Sequence, residues 1–328
     1  MLTHIRFLGT ALGVLVSPLP SVLKRSLAQL VRWKISVLPG RLSSFSYLVG
    51  DALLKRAFRG SRVPARLIRT FPWKVRMQLD VAQKTQRALY LKKTYEPEVL
   101  HYIEKQLGPN DGFIDIGANV GFYALYAATR IKRNGGVFAF EPEPKNFTAL
   151  KRNIELNGLF HLITAVNKAV GDRAGTETFY INPWNEGGGS LNASDTFHDD
   201  EQRFTKEETA RHFPRVPLTT MVEVTTLDAY IAKEKINLPH PLIIKIDIEG
   251  AELSALRGMQ DLLKHGTPRI ICEVSQDGIA ISAFLAQYRY RPFSLSLNGV
   301  PTLLSTMPER MKTVLFLKEP TFEAPKQF

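Results

Sequence analysis

Asp115-Ile116-Gly117-Ala118-Asn119-Val120-Gly121 stands between a short apolar run, Gly112 to Ile116, and a helical run that reaches about Ile131. A strand that passes into a helix through a glycine-bearing turn is the opening unit of a doubly wound α/β sheet, and the strand ends at such turns are where these sheets bind nucleotides. Downstream the same alternation continues. Val137 to Phe140 reads as a second strand ending at Glu141, Pro144 to Leu156 as a helix closed by Asn157-Gly158, and Leu162 to Val170 as a third strand. Thr176 to Ile181 follows as a strand after the Asp172 to Gly175 turn. A long polar stretch from Asn182 to about Pro217 then interrupts the pattern. Regularity resumes with Val222 to Thr225, a helix from Leu227, the strand Pro241 to Ile248, a helix from Ala251 to Leu263 and the strand Arg269 to Val274. Strands alternating with helices predict an α/β fold: a mostly parallel sheet with helices on both faces and right-handed crossovers.

The middle of the turn selects the ligand class. Dinucleotide sites need a second glycine two residues after the first, so that a pyrophosphate can lie against backbone N–H groups at the helix start. Here that place is Asn119. The pattern is G-x-x-x-G, which suits an adenosine ligand without phosphates, and Glu141 at the end of the next strand is placed to accept hydrogen bonds from ribose hydroxyls. S-adenosylmethionine is such a ligand, with Asp115 expected to meet its cationic amino-acid end. The expected cofactor-binding residues are therefore Asp115, Gly117, Ala118, Asn119, Gly121 and Glu141, and an NAD-dependent oxidoreductase is disfavoured by Asn119.

A second motif, Lys245-Ile246-Asp247-Ile248-Glu249-Gly250-Ala251-Glu252, puts charge into an apolar strand. Buried charges are expensive unless paired or used, and catalytic residues of open α/β sheets collect at strand carboxyl ends. Lys245 and Asp247 are accordingly expected in the reaction site. Glu249 and Glu252 stand at the start of the next helix, where acids are favoured by the helix dipole, so capping explains them as well as catalysis does.

These two motifs, together with Phe140-Glu141-Pro142-Glu143-Pro144, Asn153, Asn157 and Leu256-Arg257-Gly258, resemble the FkbM family of S-adenosylmethionine-dependent methyltransferases. The resemblance covers roughly Tyr95 to Val274; the first 90 residues and the tail after Leu295 lie outside it. It implies a class I (Rossmann-like) methyltransferase fold and methyl transfer to oxygen, commonly on a sugar or other hydroxylated natural product. Asp247, with Lys245 and Glu249, is then the candidate catalytic group, because a hydroxyl needs an acceptor for its proton. A divalent metal between these carboxylates and the substrate would do the same work, and nothing in the spacing demands one. The family carries a Gly/Ser-rich segment before the lysine-containing strand, and Gly187-Gly188-Gly189-Ser190-Leu191 matches it in place and type. Gly188 and Ser190 are the expected acceptor contacts, with a plain surface insertion as the alternative. Asn182-Pro183-Trp184 is similar only superficially to the Asn-Pro-Pro-aromatic motif of base methyltransferases, which follows the strand ending at Asp247, so base methylation is disfavoured.

Composition sets the outer limits. The chain of 328 residues, 44% hydrophobic and 23% charged, is globular in character. A single cysteine, Cys272, excludes an intrachain disulfide and a cysteine-based zinc cluster. The net charge of +12 is concentrated: residues 1–76 hold 14 Lys/Arg and one acid, Asp51, while residues 77–328 hold 29 bases and 30 acids. A division into a basic, helical N-terminal extension (1–76) and a methyltransferase domain (77–328) is expected, with no nucleic-acid groove across the catalytic body. The apolar run Phe7 to Val16 is too short to span a bilayer and lacks a cleavage signature. Val22, Leu23, Leu27, Leu30 and Val31 fall at helical spacing with basic flanks, which fits either a helix lying on an anionic membrane or one packed on the domain. A cytoplasmic protein, with peripheral contact at the inner membrane face, is the expected location. The alternative function is a non-enzymatic membrane or nucleic-acid binder using the basic arm on an idle fold.

Overall fold

The computed structural model describes residue 24 and residues 26–31, 47–54, 66–92, 95–132, 135–181, 189–191, 218–274, 277–307 and 312–319. A hairpin of β1 (Arg66–Thr70) and β2 (Arg76–Asp80) comes first, followed by α1 (Lys84–Leu91) and α2 (Pro97–Gln106). The alternating part then runs β3 (Gly112–Ile116), α3 (Phe122–Ala128), β4 (Gly136–Phe140), α4 (Pro144–Leu156), β5 (Ile163–Val166). A small sheet of β6 (Ala169–Val170), β7 (Gly175–Ile181) and β8 (Leu218–Thr225) follows. The chain returns through α5 (Leu227–Lys233), β9 (Leu242–Ile246), α6 (Glu252–Arg257), α7 (Gln260–His265), β10 (Arg269–Val274), α8 (Gly278–Ala286), β11 (Tyr290–Leu295), β12 (Pro301–Leu303) and β13 (Lys312–Lys318).

The main sheet has eight strands in the order β12-β11-β13-β10-β9-β3-β4-β5. Its β10-β9-β3-β4-β5 portion is parallel, and β13, β11 and β12 extend the β10 edge antiparallel. β3 and β9 are buried at every position, as expected of parallel strands covered on both faces. The two-residue period then sorts side chains between two cores. Phe113, Ile243, Ile271 and Leu315 point to one, with Leu125 of α3, and Ile114, Ile244, Ile246 and Cys272 to the other, with Leu256 of α6. Asp115, Lys245, Glu273 and Thr313 therefore share the first face. Register brings them near the strand carboxyl ends: Asp115 lies opposite Lys245, Lys245 opposite Ile271, and Glu273 opposite Thr313.

Several expectations need correction. The division after residue 76 cuts the β1–β2 hairpin, whose strands pair from Arg66 opposite Asp80 to Thr70 opposite Arg76. Ala28 and Leu54 are fully buried in the main core, and Asp51 is bonded to Arg87 Nε at 2.8 Å. Charge bias marks a solvated surface, and it is blind to this backbone pairing and packing. Of the proposed amphipathic face, Leu30 is exposed and Val31 packs on the core; the run Phe7 to Val16 lies outside the described residues. Among the described residues no helix is long and apolar enough to cross a membrane. The strand expected over Leu162 to Val170 divides into β5 and β6, which belong to different sheets. The helix expected over Ala251 to Leu263 breaks at Gly258, where a Cβ would lie 2.0 Å from the Gly171 carbonyl oxygen. The tail beyond Leu295 supplies β12 and β13 to the main sheet.

Candidate functional site

The sheet reverses its winding around β3, with β9 on one side and β4 on the other, and a cavity of about 530 Å³, including its open mouth, lies beyond these strand ends. Gly117, Asn119, Phe140 and Glu141 line it from the β3 and β4 ends, and Asp247 with Ile248 from the end of the neighbouring β9. Gly117, Asn119 and Gly121 all have positive φ, at 85°, 50° and 93°. Sequence reasoning assigns the glycines to ligand approach, but the chain itself occupies the space they leave. A Cβ on Gly117 would stand 1.9 Å from the Asp247 carbonyl oxygen, and one on Gly121 would stand 2.6 Å from Leu150 Cδ1. Gly117 thus lets the two motifs touch.

The N–H groups of this turn are largely spoken for. Those of Gly117 and Ala118 donate to the Phe140 carbonyl at 3.0 and 2.9 Å, that of Gly121 to the Ala118 carbonyl at 2.8 Å, and that of Asn119 to Glu141 Oε2 at 2.8 Å. A phosphate cradle needs such donors free. The other Glu141 oxygen, Oε1, accepts from the Glu143 N–H at 2.9 Å, and Asn146 also bonds the carboxylate. Burial raises Glu141 to about 7 despite these donors. Beside it, Asn119 Oδ1 is buried and has no hydrogen-bond partner. Asp115 departs from expectation. Its carboxylate is 1% exposed and accepts from the Ala124 N–H at 3.0 Å, holding the first turn of α3 instead of facing the cavity, and burial raises it to about 7.

Beside this turn Asp247 follows the end of β9, its N–H bonded to the Ile116 carbonyl at 3.0 Å. Lys245 Nζ donates to Asp247 Oδ2 at 2.6 Å and sits 4.5 Å above the Tyr123 ring. Burial alone would lower the ammonium, but Asp247, Glu96, Glu273 and Asp115 together hold it above its ordinary value. Asp247 moves the other way: burial would raise it, and Lys245 and a hydrogen bond from Glu273 outweigh that and lower it. Glu249 adopts φ 51° in the turn beyond the strand, and Glu252 Oε1 accepts from the Gly250 N–H at 2.9 Å, a capping role.

Of the two expected acceptor contacts, Gly188 lies outside the described residues. Ser190 is fully buried: its backbone pairs with Tyr180, and its Oγ donates to the Glu249 carbonyl at 2.8 Å, fastening the loop to the turn after β9. The neighbouring Gly189 and Leu191 line the cavity.

Sequence reasoning misses the surround of Lys245. Tyr123 donates to Glu96 Oε2, Thr313 Oγ1 donates to Glu96 Oε1 at 3.0 Å, and Glu273 bonds Asp247. Burial, Asp247 and Glu96 also hold the Tyr95 hydroxyl well above its usual range. Glu273 carries a readable signal, an acid within the apolar strand Arg269–Val274; Glu96 and Thr313 carry none. Among the described residues no group of three or more His, Cys, Asp or Glu is placed to hold a metal ion.

The chain is similar in sequence to several methyltransferases. Methyltransferase 1 of Beauveria bassiana is 31% identical over 47% of this chain and 60% of its own length. The hexuronic acid methyltransferase AglP of Haloferax volcanii is 26% identical over 52% of this chain and 58% of its own. The chain thus spans about three fifths of the length of these two relatives. The 31-O-demethyl-FK506 methyltransferase FkbM of Streptomyces tacrolimicus is 26% identical over 69% of this chain and 86% of its own. Residues 115–292, more than half of the chain, match the family described as the methyltransferase FkbM domain, and the protein belongs to that family.

Proposed function

We propose that the protein is an S-adenosylmethionine-dependent O-methyltransferase whose acceptor is a hydroxylated molecule, in first place a sugar, glycan or glycolipid. One observation carries this reading: Glu141, Asn119 and Asp247 line one and the same cavity. The residues fit the methyl donor. Glu141 offers carboxylate oxygens to ribose hydroxyls, Asn119 Oδ1 is a buried acceptor awaiting a donor, and the turn's engaged N–H groups disfavour a ligand with phosphates. When bound, S-adenosylmethionine supplies a methyl group already activated by its sulfonium. The protein contributes alignment and exclusion of water. Asp247 accepts a hydrogen bond from the acceptor hydroxyl, which aims an oxygen lone pair, and takes the proton as that oxygen gains the methyl group. A carboxylate depressed by Lys245 is too weak to strip a free sugar hydroxyl, but a hydroxyl that is being alkylated becomes strongly acidic, so a late proton transfer suffices.

The names of two relatives, a hexuronic acid methyltransferase and a 31-O-demethyl-FK506 methyltransferase, support a hydroxylated acceptor. The basic N-terminal quarter supports peripheral contact with anionic lipid, where a lipid-linked acceptor resides. Calorimetric titration with S-adenosylmethionine and with NAD, followed by labelled-methyl transfer to cell-envelope extracts, tests the whole reading. Binding of S-adenosylmethionine alone and label in a glycan fraction are expected; tight NAD binding would overturn it.

A further inference from the structure

We infer that Glu273 is a positioning residue of the transfer site, a neutral carboxylic acid that donates its proton to Asp247 and so keeps Asp247 both ionised and aimed at the acceptor. This rests on the reading of Asp247 as the proton acceptor. The geometry begins with register. Ile271 of β10 lies opposite Lys245 of β9, which brings Glu273, two residues on and on the same face, level with Asp247. The two carboxyl groups are hydrogen-bonded to one another. Ionised carboxylates only accept, so the contact requires one proton between them. Lys245 identifies its owner. Its Nζ is 2.6 Å from Asp247 Oδ2, which favours the charged form of Asp247 and leaves the proton on Glu273.

Another group facing Glu273 acts in the same direction. Glu249 in the turn after β9 adds negative charge, and Lys245 opposes it. The Asp247 charge first, then burial, raise Glu273 to about 11. The consequence for function is a site in which Lys245 and Asp247 cancel and Glu273 carries no charge. Asp247 then has two fixed donors, one cationic and one neutral, which restrict its rotation before the acceptor arrives.

The test uses the full chain with Glu273→Gln, which keeps a neutral donor, and Glu273→Leu, which removes it. Infrared spectra are recorded at about pH 9, where Asp115 and Glu141, raised to about 7, are ionised. A protonated-carboxyl C=O band is expected in the wild type and is expected to vanish in Glu273→Gln; its absence from the wild type would overturn the proposal. Labelled-methyl transfer to envelope extract should stay within about threefold of wild type in Glu273→Gln and fall at least about tenfold in Glu273→Leu. Equal inactivation of both variants would show that an ionisable group is needed and would also overturn it. Should Glu273→Leu fail to fold, the Glu273→Gln comparison decides alone. If the wild type binds S-adenosylmethionine but labels no acceptor, the methyltransferase reading loses support while the infrared band still decides the state of Glu273.

Discussion

On the β3–β4 side of the cavity the polar groups offered to a ligand come from one βαβ stretch, residues 115–146, and most of their partners are backbone N–H groups. On the β9–β10 side Asp247 lines the cavity and is backed by Lys245, Glu273, Glu96, Thr313 and, from α3, Tyr123, whose partners are one another. The electrostatics divide accordingly. Glu141, held by neutral dipoles, is raised to about 7 by burial, whereas Asp247, held by an ammonium, is lowered. Two acids pushed apart in this way are suited to different tasks, one to binding and one to taking a proton.

The sharpest way to break that division is Asp247→Asn. Amide nitrogen and oxygen replace the acceptor pair, so turnover on labelled acceptor should fall by about two to four orders of magnitude, while S-adenosylmethionine affinity measured by calorimetry stays within about threefold. A variant that keeps a tenth or more of wild-type turnover would move the proton acceptor to Glu249. Lys245→Met attacks the same side through stability. It leaves the Asp247 charge facing Glu273 and Asp115 without its cation, and urea unfolding should show a loss of about 3–5 kcal/mol. Adding Asp247→Asn should recover much of that loss, since the uncompensated charge goes with it. No recovery would mean that Lys245 acts mainly through its packing on Tyr123.

The two sides also differ in how legible they are from sequence. The turn at Asp115 to Gly121 and Glu141 lie within one βαβ unit, so local spacing alone brings them together. Lys245 and Asp247 are visible because charges inside an apolar strand need a reason. Glu273 carries that same signal more weakly, since an acid near a strand end is also read as solvated. Glu96 and Thr313 are invisible: their meeting depends on the antiparallel pairing of β13 with β10 and on the approach of α2, neither of which leaves a local pattern. The hairpin fails for a similar reason. Asn153 takes the Gln78 N–H on Oδ1 at 2.7 Å and gives to the Val120 carbonyl at 2.9 Å, and Asn157 brackets Arg76 at 2.9 and 2.7 Å. Asn153 on α4 and Asn157 at its C-terminal cap thus fasten β2 to the domain, across a boundary that charge counting draws at residue 76.

Glu141→Ala tests the binding side. Removing a charged acceptor for two hydroxyls should weaken S-adenosylmethionine by about ten- to a hundredfold, about 1.5–3 kcal/mol, with the fold intact by circular dichroism. The wild type should bind less well as pH falls below about 7, because a protonated Glu141 offers one acceptor fewer, and the variant should lose most of that slope. Stability of the ligand-free protein runs the opposite way. Glu141 and Asp115 are raised above their unfolded values, so their contribution is fully present below about pH 4 and is lost as pH rises through about 7. Melting temperatures across that window should fall less steeply in Glu141→Ala. An unchanged dissociation constant would show that the ribose lies elsewhere.

Asn119→Gly should have the smallest effect. Relief of the left-handed backbone and the added chain entropy of glycine oppose each other at about 1 kcal/mol each, so stability should barely move. The main-chain N–H bond to Glu141 survives; only the partnerless Oδ1 is lost, which should weaken S-adenosylmethionine a few-fold, about 0.5–1.5 kcal/mol. NAD binding should not appear. The dinucleotide pattern would still lack its third glycine, which falls at Phe122, and that ring is buried 5.5 Å from both Phe71 and Trp73. The hairpin turn, which the charge count assigns to a separate extension, thus packs on the very position where a dinucleotide fold needs its helix to close on the strand. Measurable NAD affinity in Asn119→Gly would mean that one side chain sets the ligand class, and that the contrast between the two sides says less about function than their charges indicate.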